Sequence, residues 1–95
     1  ATGRGEEMIR SCGSFLGVEL MRNGRSPQEA CEDVCKRIID INGGPSKVDF
    51  NDKIVALSKS GEVGCAAIRG ERGQEPEVAT WSKKGLKVTK GTYLI

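Results

Sequence analysis

The chain has 95 residues, a formal net charge of +2 with acids and bases interspersed, and only 4% aromatic residues. That length makes one small domain or part of a larger one, with a core that is marginal alone. The charge balance argues against a nucleic acid or an anionic membrane as partner, no apolar run approaches a membrane span, and the lack of any histidine removes histidine-based triads and histidine-ligated metals from within this chain.

The chain opens on Ala1, Thr2, Gly3, Arg4, Gly5, Glu6 and Glu7. This is a small polar turn running into a helical pattern. It shows neither a secretory signal nor an initiator methionine, so the chain is expected to begin inside a longer or processed product. Two glycines flank Arg4, where the backbone can approach a ligand closely or take a positive φ. Glu6 and Glu7 fall in the first helical turn and suit the positive end of the helix dipole. Backbone N–H groups of such a turn are free to bind an oxyanion or a carboxylate, and Thr2 adds a hydroxyl donor. The pattern is not a dinucleotide fingerprint, because Met8 stands where the third glycine belongs. It is not a P-loop, because the Gly-Lys-Ser/Thr ending is absent. Read by itself, the stretch is also, more plainly, a glycine-rich lead-in to a helix.

A first helix is expected from about Glu6 to Asn23, since Met8, Ile9, Cys12, Phe15, Leu16, Leu20 and Met21 recur at three and four residues. Gly13 and Gly17 each cost about 1 kcal/mol of helix propensity relative to alanine. Close packing of that face on a helix or sheet is the simplest offset. Asn23-Gly24 ends the helix. Ser26-Pro27-Gln28-Glu29 opens a second one, with Ser26 as N-cap, Pro27 at the first position and Glu29 completing a capping box. Ala30, Cys31, Val34, Cys35, Ile38, Ile39 and Ile41 form its buried stripe. Its wet face is expected to carry the pairs Glu32 to Lys36 and Asp33 to Arg37. Asn42-Gly43-Gly44-Pro45 stops it, and the short connection makes the two helices antiparallel neighbours.

From Phe50 the period changes. Lys53 to Ser58 and Glu62 to Arg69 read as a hairpin around Lys59-Ser60-Gly61. Apolar residues on both faces predict a covered sheet, and Gly64 predicts a bulge or a close approach. Gly70 to Pro76 is a polar loop. Val78 to Ser82 and Leu86 to Thr89, around Lys84-Gly85, suggest a second hairpin, and Gly91 to Ile95 a tail. The expected order is turn, two helices, four strands.

Four cysteines are present. Cys31 and Cys35 share a helix face with Val34 and Ile38 and read as small buried hydrophobes. No Cys-x-x-Cys knuckle suggests zinc, and a disulfide through Cys12 or Cys65 stays open. The inventory is poor for catalysis. No nucleophile is paired with a base at a telling spacing. Glu6 and Glu7 point about 100° apart on a helix. Thr2 alone stands beside donor-rich backbone, where its natural role is to donate to developing negative charge. The residues by themselves make half a site: an oxyanion-binding turn without a nucleophile.

The run from Ala1 to Arg10 resembles the small-residue active-site segment of the glycosylasparaginases. Val18 to Met21, Gly24 to Gln28 and Ala30-Cys31 resemble the same family's helix pair, and Lys53 to Ser58 with Gly61 to Gly64 its late hairpin. The similarity covers the first part of the chain and is weak beyond Arg69. The resemblance implies an N-terminal nucleophile hydrolase of the asparaginase-2 type, folded as an αββα sandwich, with this chain forming the C-terminal part of a β subunit. Such a precursor cleaves itself into α and β subunits. The new N-terminal threonine of β is nucleophile and, through its α-amine, base. The enzyme hydrolyses the amide between the asparagine side chain and N-acetylglucosamine, and relatives cleave asparagine or isoaspartyl peptides. No metal or cofactor is used.

Carried over by position, the resemblance makes Thr2 a catalytic residue whose hydroxyl helps stabilise the tetrahedral oxyanion. Gly3 is the glycine whose backbone meets the oxyanion and the substrate's α-amino group. Arg4 and Gly5 complete the substrate-contacting segment. Thr2 is not the nucleophile. The nucleophilic threonine, its neighbouring hydroxyl, and the Arg and Asp that grip the substrate lie N-terminal to this segment in the family. The implied partners are the remaining α and β segments, in a dimer of αβ units located in periplasm or lysosome, and this chain alone is expected to be inactive. The competing reading is a small α+β interaction domain without catalysis. The two differ in what they leave uncovered: a segment of a larger assembly exposes apolar stripes, and a self-sufficient domain does not.

Overall fold

The structure is a computed structural model and describes residues 1–71 and 73–95. Arg72, inside the expected loop from Gly70 to Pro76, lies outside the described residues. The fold is α+β, as expected.

The first helical pattern forms two helices, α1 (Gly5–Arg10) and α2 (Gly13–Arg22), and not the single helix expected from Glu6 to Asn23. The break falls at Ser11 and Cys12, where Cys12 takes a left-handed φ of 51°. Carbonyls freed by the break find other donors. The Ser11 hydroxyl donates to the Met8 carbonyl at 3.1 Å, and Arg37 Nε donates to the Ser11 carbonyl at 3.2 Å. Past the break, Gly13 and Gly17 face the next helix. A Cβ on Gly13 would sit 2.1 Å from Met8 Sδ and 3.1 Å from Val34 Cγ1. The close packing inferred from these glycines is therefore present. It turns the glycines inward and leaves Ile9, Cys12, Phe15 and Val18 outside.

The third helix, α3 (Pro27–Ile41), has the capping box read from its sequence. Its stripe of Ala30, Cys31, Val34, Cys35, Ile38 and Ile39 is buried. The expected i,i+4 pairs on its wet face are replaced. Asp33 accepts from Arg25 Nε at 2.8 Å, Glu32 accepts from Gln28 Nε2 at 2.9 Å, and Arg37 turns to Ser11. A single 3₁₀ turn, Pro45–Lys47, follows the glycines that stop α3.

Strands β1 (Lys53–Leu57) and β2 (Val63–Ala67) form the expected antiparallel hairpin, with Ile54 opposite Ala66 and Ala56 opposite Gly64. The register runs through Gly64 without a bulge. The glycine instead marks a close approach, because a Cβ there would lie 2.3 Å from the Gln28 nitrogen of α3. Strands β3 (Glu77–Ser82) and β4 (Gly85–Lys90) form the second expected hairpin as a separate sheet. The predicted tail is not a tail. Thr92–Tyr93 is a fifth strand, β5, parallel to β2, so the sheet order is β1-β2-β5. Gly91 permits this, since a Cβ there would lie 2.0 Å from the Cys65 carbonyl oxygen. The N–H groups of Leu94 and Ile95 then bond to the carbonyls of Ala67 and Ile68 at 3.0 and 2.8 Å.

The core lies where α3 crosses the inner face of this sheet, with Val34, Cys35 and Ile38 against Ile54, Ala66 and Ile68. Each fully buried aliphatic side chain there contributes about 1.5–3 kcal/mol. On the other face Cys65 and Ala67 of β2 are also buried, whereas Val55 and Leu57 of β1 are exposed, so the expected covered sheet holds for β2 and not for β1. Among the described residues no helix is long and apolar enough to cross a membrane.

Candidate functional site

The Thr2–Gly5 turn is tied to the start of β1. Thr2 pairs with Lys53 as an antiparallel bridge, its N–H donating at 2.9 Å and its carbonyl accepting at 2.8 Å. Gly3 has a φ of +124°, a conformation that favours glycine. A Cβ there would sit 2.3 Å from both the Asn51 carbonyl oxygen and Asp52 Oδ1. The glycine is thus required by the chain's own backbone and a buried carboxylate. The Arg4 N–H donates to Asp52 Oδ1.

These contacts correct the expectation that the turn's N–H groups are all free. Those of Thr2 and Arg4 are engaged by Lys53 and Asp52. The N–H of exposed Gly3, between them, has no partner among the described residues, and neither has the Thr2 hydroxyl. Both donors therefore remain available at a turn whose backbone is fixed on either side. Thr2 also lines a shallow depression of about 370 Å³ with Lys53, Val55, Cys65, Pro76 and Glu77.

Arg4 turns its guanidinium to the face of Phe50, 4.6 Å from the ring centroid, and pairs with Glu6 at 3.8 Å. Gly5 opens α1, and a Cβ there would meet nothing within 4 Å, so no neighbour in this chain demands a glycine. The two adjacent glutamates separate as expected. Glu6 is exposed, whereas Glu7 is buried and bonded to Asn42 and Arg10. The structure thus ties Thr2 to Lys53, sets Gly3 and Arg4 against Asp52, and leaves Gly5 facing open space.

Asp52 was not singled out in the sequence, where it is 48 residues from Arg4. It is one acid in the polar run before an apolar strand, and nothing local distinguishes it from Asp49. Burial pushes its carboxyl above the ordinary aspartate range. The Arg4 N–H opposes that shift, and nearby Glu7 adds to it.

The four cysteines are unpaired thiols. Burial pushes Cys31 up to about 11 and Cys35 up to about 12, which fits small core residues and not nucleophiles. Among the described residues no group of three potential ligand side chains is placed to hold a metal ion.

No family model matches the chain. It is 45% identical over 71 residues to the N(4)-(beta-N-acetylglucosaminyl)-L-asparaginase of Elizabethkingia miricola, a match covering 73% of this chain and 21% of that protein. A Drosophila grimshawi protein provisionally given the same name is 42% identical over 66 residues, covering 70% of this chain and 16% of that protein. An L-asparaginase-like protein of Drosophila melanogaster is 34% identical over 61 residues, covering 64% of this chain and 14% of that protein. The chain spans about a fifth of the length of the Elizabethkingia relative and less of the others.

Proposed function

Because the chain resembles the C-terminal region of the N(4)-(beta-N-acetylglucosaminyl)-L-asparaginases, we propose that it works as one segment of an amidohydrolase of that kind. Its substrate would be asparagine glycosylated on the side-chain amide, or a related asparagine or isoaspartyl compound. In this reading the nucleophilic threonine lies outside the present chain. Its hydroxyl oxygen adds to the side-chain carbonyl, and its α-amine takes the proton. The carbonyl oxygen becomes an oxyanion. The Thr2 hydroxyl and the Gly3 N–H donate to that oxygen, and Arg4 and Gly5 line the substrate. The amine leaves with a proton, and water then releases aspartate from the threonine ester.

The observation that carries this reading is the pair of unengaged donors at Thr2 and Gly3 on a turn whose neighbouring N–H groups are held. Fixed donors of this kind stabilise a developing oxyanion without reorganising at the moment of reaction. The apolar surface supports a larger assembly over a self-sufficient interaction domain. Phe15 is 71% exposed, Leu57 66% and Trp81 81%. They lie on α2, on the outer face of β1 and on the β3–β4 hairpin. The partners that fit are the remaining α and β segments of the same precursor, arranged as a dimer of αβ units in an αββα sandwich, in periplasm or lysosome.

The test is aspartate release from N4-(beta-N-acetylglucosaminyl)-L-asparagine by the complete assembly. Thr2→Ala should lower kcat by about 10²-fold, the usual loss for one oxyanion donor. Unchanged turnover in Thr2→Ala, with the assembly intact by mass, refutes the reading.

A further inference from the structure

Asp52 lies in the polar run that leads into β1 and is 1% exposed. Its Oδ1 accepts the Arg4 N–H. Its Oδ2 is also shielded from solvent and has no hydrogen-bond partner among the described residues. A buried carboxylate oxygen without a donor opposes folding. Stability alone therefore does not account for an acid at this position.

The surroundings give it a mechanical task. The Asp52 carbonyl accepts the Ile68 N–H at 2.9 Å, which anchors the residue beside the end of β2. The adjacent Lys53 exchanges two hydrogen bonds with Thr2. The carboxylate packs directly against Gly3, with no room for a Cβ between them. The peptide from Thr2 to Arg4 is thus held at both ends, by Lys53 and by Asp52, and the unengaged Gly3 N–H sits between the two anchors.

We propose that Asp52 is the positioning residue of this turn: it holds the Arg4 N–H and so aims the Thr2 hydroxyl and the Gly3 N–H at the substrate's carbonyl oxygen. The inference rests on the oxyanion reading of the turn. The charged groups facing Asp52 are Glu6 and Glu7 from α1, which raise its affinity for a proton, and Arg4, which lowers it. Cys35 from α3 is the other titratable neighbour. On acidification Asp52 takes up a proton and its bond to the Arg4 N–H weakens, since an ionised acceptor bonds more strongly than a neutral one.

The experiment uses the complete assembly and the glycosylated asparagine substrate. Asp52→Ala should lower kcat by about 10²-fold, the size of loss that a misplacement of roughly 1 Å produces, with KM nearly unchanged. Asp52→Asn should recover most of the lost kcat, because its amide oxygen still accepts the Arg4 N–H. A folded Asp52→Ala with unchanged kcat overturns the proposal. So does a loss confined to KM, or an Asp52→Asn as impaired as Asp52→Ala. Should Asp52→Ala fail to fold, the amide spectrum of the unsubstituted protein decides. The Arg4 N–H resonance should move upfield on acidification, with a midpoint above the ordinary aspartate value, and a flat Arg4 resonance overturns the proposal. Thr2→Ala separates the two readings. Unchanged turnover in Thr2→Ala removes the oxyanion reading and this inference with it. Lowered turnover in Thr2→Ala beside an unaffected Asp52→Ala removes only the role of Asp52.

Discussion

Asn42 Nδ2 lies 2.7 Å from Glu7 Oε2 and 2.8 Å from the Ile38 carbonyl oxygen, so the C-cap of α3 reaches across to a buried carboxylate on α1. Arg10 closes on the same carboxylate at 2.8 and 3.0 Å. These contacts fix the short helix that follows the Thr2–Gly5 turn, which a six-residue helix does not achieve by propensity alone.

The same relationship sets a pH dependence. The Asn42 amide holds the Glu7 carboxyl below its ordinary value, burial opposes this, and Arg10 adds to the lowering. A lowered folded-state value means that the unfolded chain binds the proton more readily. Glu7 therefore contributes stability that is fully present above about pH 4.5 and is lost as pH falls through the lowered value. Glu7→Gln should flatten the acid limb of the stability curve. Urea midpoints collected from about pH 7 to about pH 3 check this, and an acid limb of unchanged slope refutes it.

Ser26→Ala should destabilise the protein by about 1 kcal/mol. The Ser26 hydroxyl accepts the Glu29 N–H at 3.1 Å, and the Glu29 carboxylate accepts the Ser26 N–H at 3.1 Å. The substitution removes half of that exchange and leaves the Glu29 N–H to water. Urea denaturation of the two proteins side by side measures the difference.

That capping box was readable because every partner lies within four residues. The same holds for the α3 stripe and for the two hairpins, whose turns and alternations are local. The break at Ser11 and Cys12 was not readable. Its partners, Arg37 at the Ser11 carbonyl and Val34 against Gly13, lie on another helix, and the apolar residues around it keep a helical period through the break. Strand β5 is not readable because two residues carry no period, and its pairing with Ala66 and Ala67 of β2 is set by partners far along the chain. The turn at Thr2 to Gly5 was visible as chemistry, but the contacts that hold it were not. Asp52 and Lys53 reach it from far along the chain, and they decide which N–H groups stay open.

Gly64→Ala should be poorly tolerated. The added Cβ would lie 2.3 Å from the Gln28 nitrogen and 2.5 Å from its Cα, both backbone atoms that cannot rotate away. Strand β2 must then separate from the first turn of α3. Forced repacking of this kind costs about 1–3 kcal/mol. The Gln28 side chain also bonds the Cys65 N–H at 3.1 Å and the Cys65 carbonyl at 3.0 Å, and those bonds should lengthen together. Denaturation reads the stability loss, and faster amide exchange at Cys65 reads the separation.

The thiols should divide by burial. Cys12 is exposed, whereas Cys31, Cys35 and Cys65 are buried, and burial pushes all three of the latter up. The thiolate is the reactive form, and little of it is present at neutral pH in a buried thiol. A thiol reagent under native conditions should label Cys12 and spare the other three until the protein unfolds. Peptide mass spectrometry of the labelled protein checks this, and rapid native labelling of Cys35 contradicts the core described above.

The exposed outer face of β1 gives the last prediction. Ile54 and Ala56 of β1 point to α3, and the alternation sends Val55 and Leu57 to the opposite side, where they are 52% and 66% exposed. Two neighbouring apolar residues on a sheet face contribute little to the stability of this chain while they remain in water. They contribute fully once a second layer covers them. Val55→Lys with Leu57→Lys should therefore leave the fold of this chain within about 0.5 kcal/mol of its starting stability, as for ordinary surface changes. The same pair of lysines should prevent recovery of the assembly, because burying two unpaired ammonium groups opposes association strongly. Size-exclusion chromatography with intact-mass analysis of the peak separates the outcomes. Loss of the companion segments from an otherwise folded chain supports a covering layer on this face, and their undiminished recovery places the contact elsewhere.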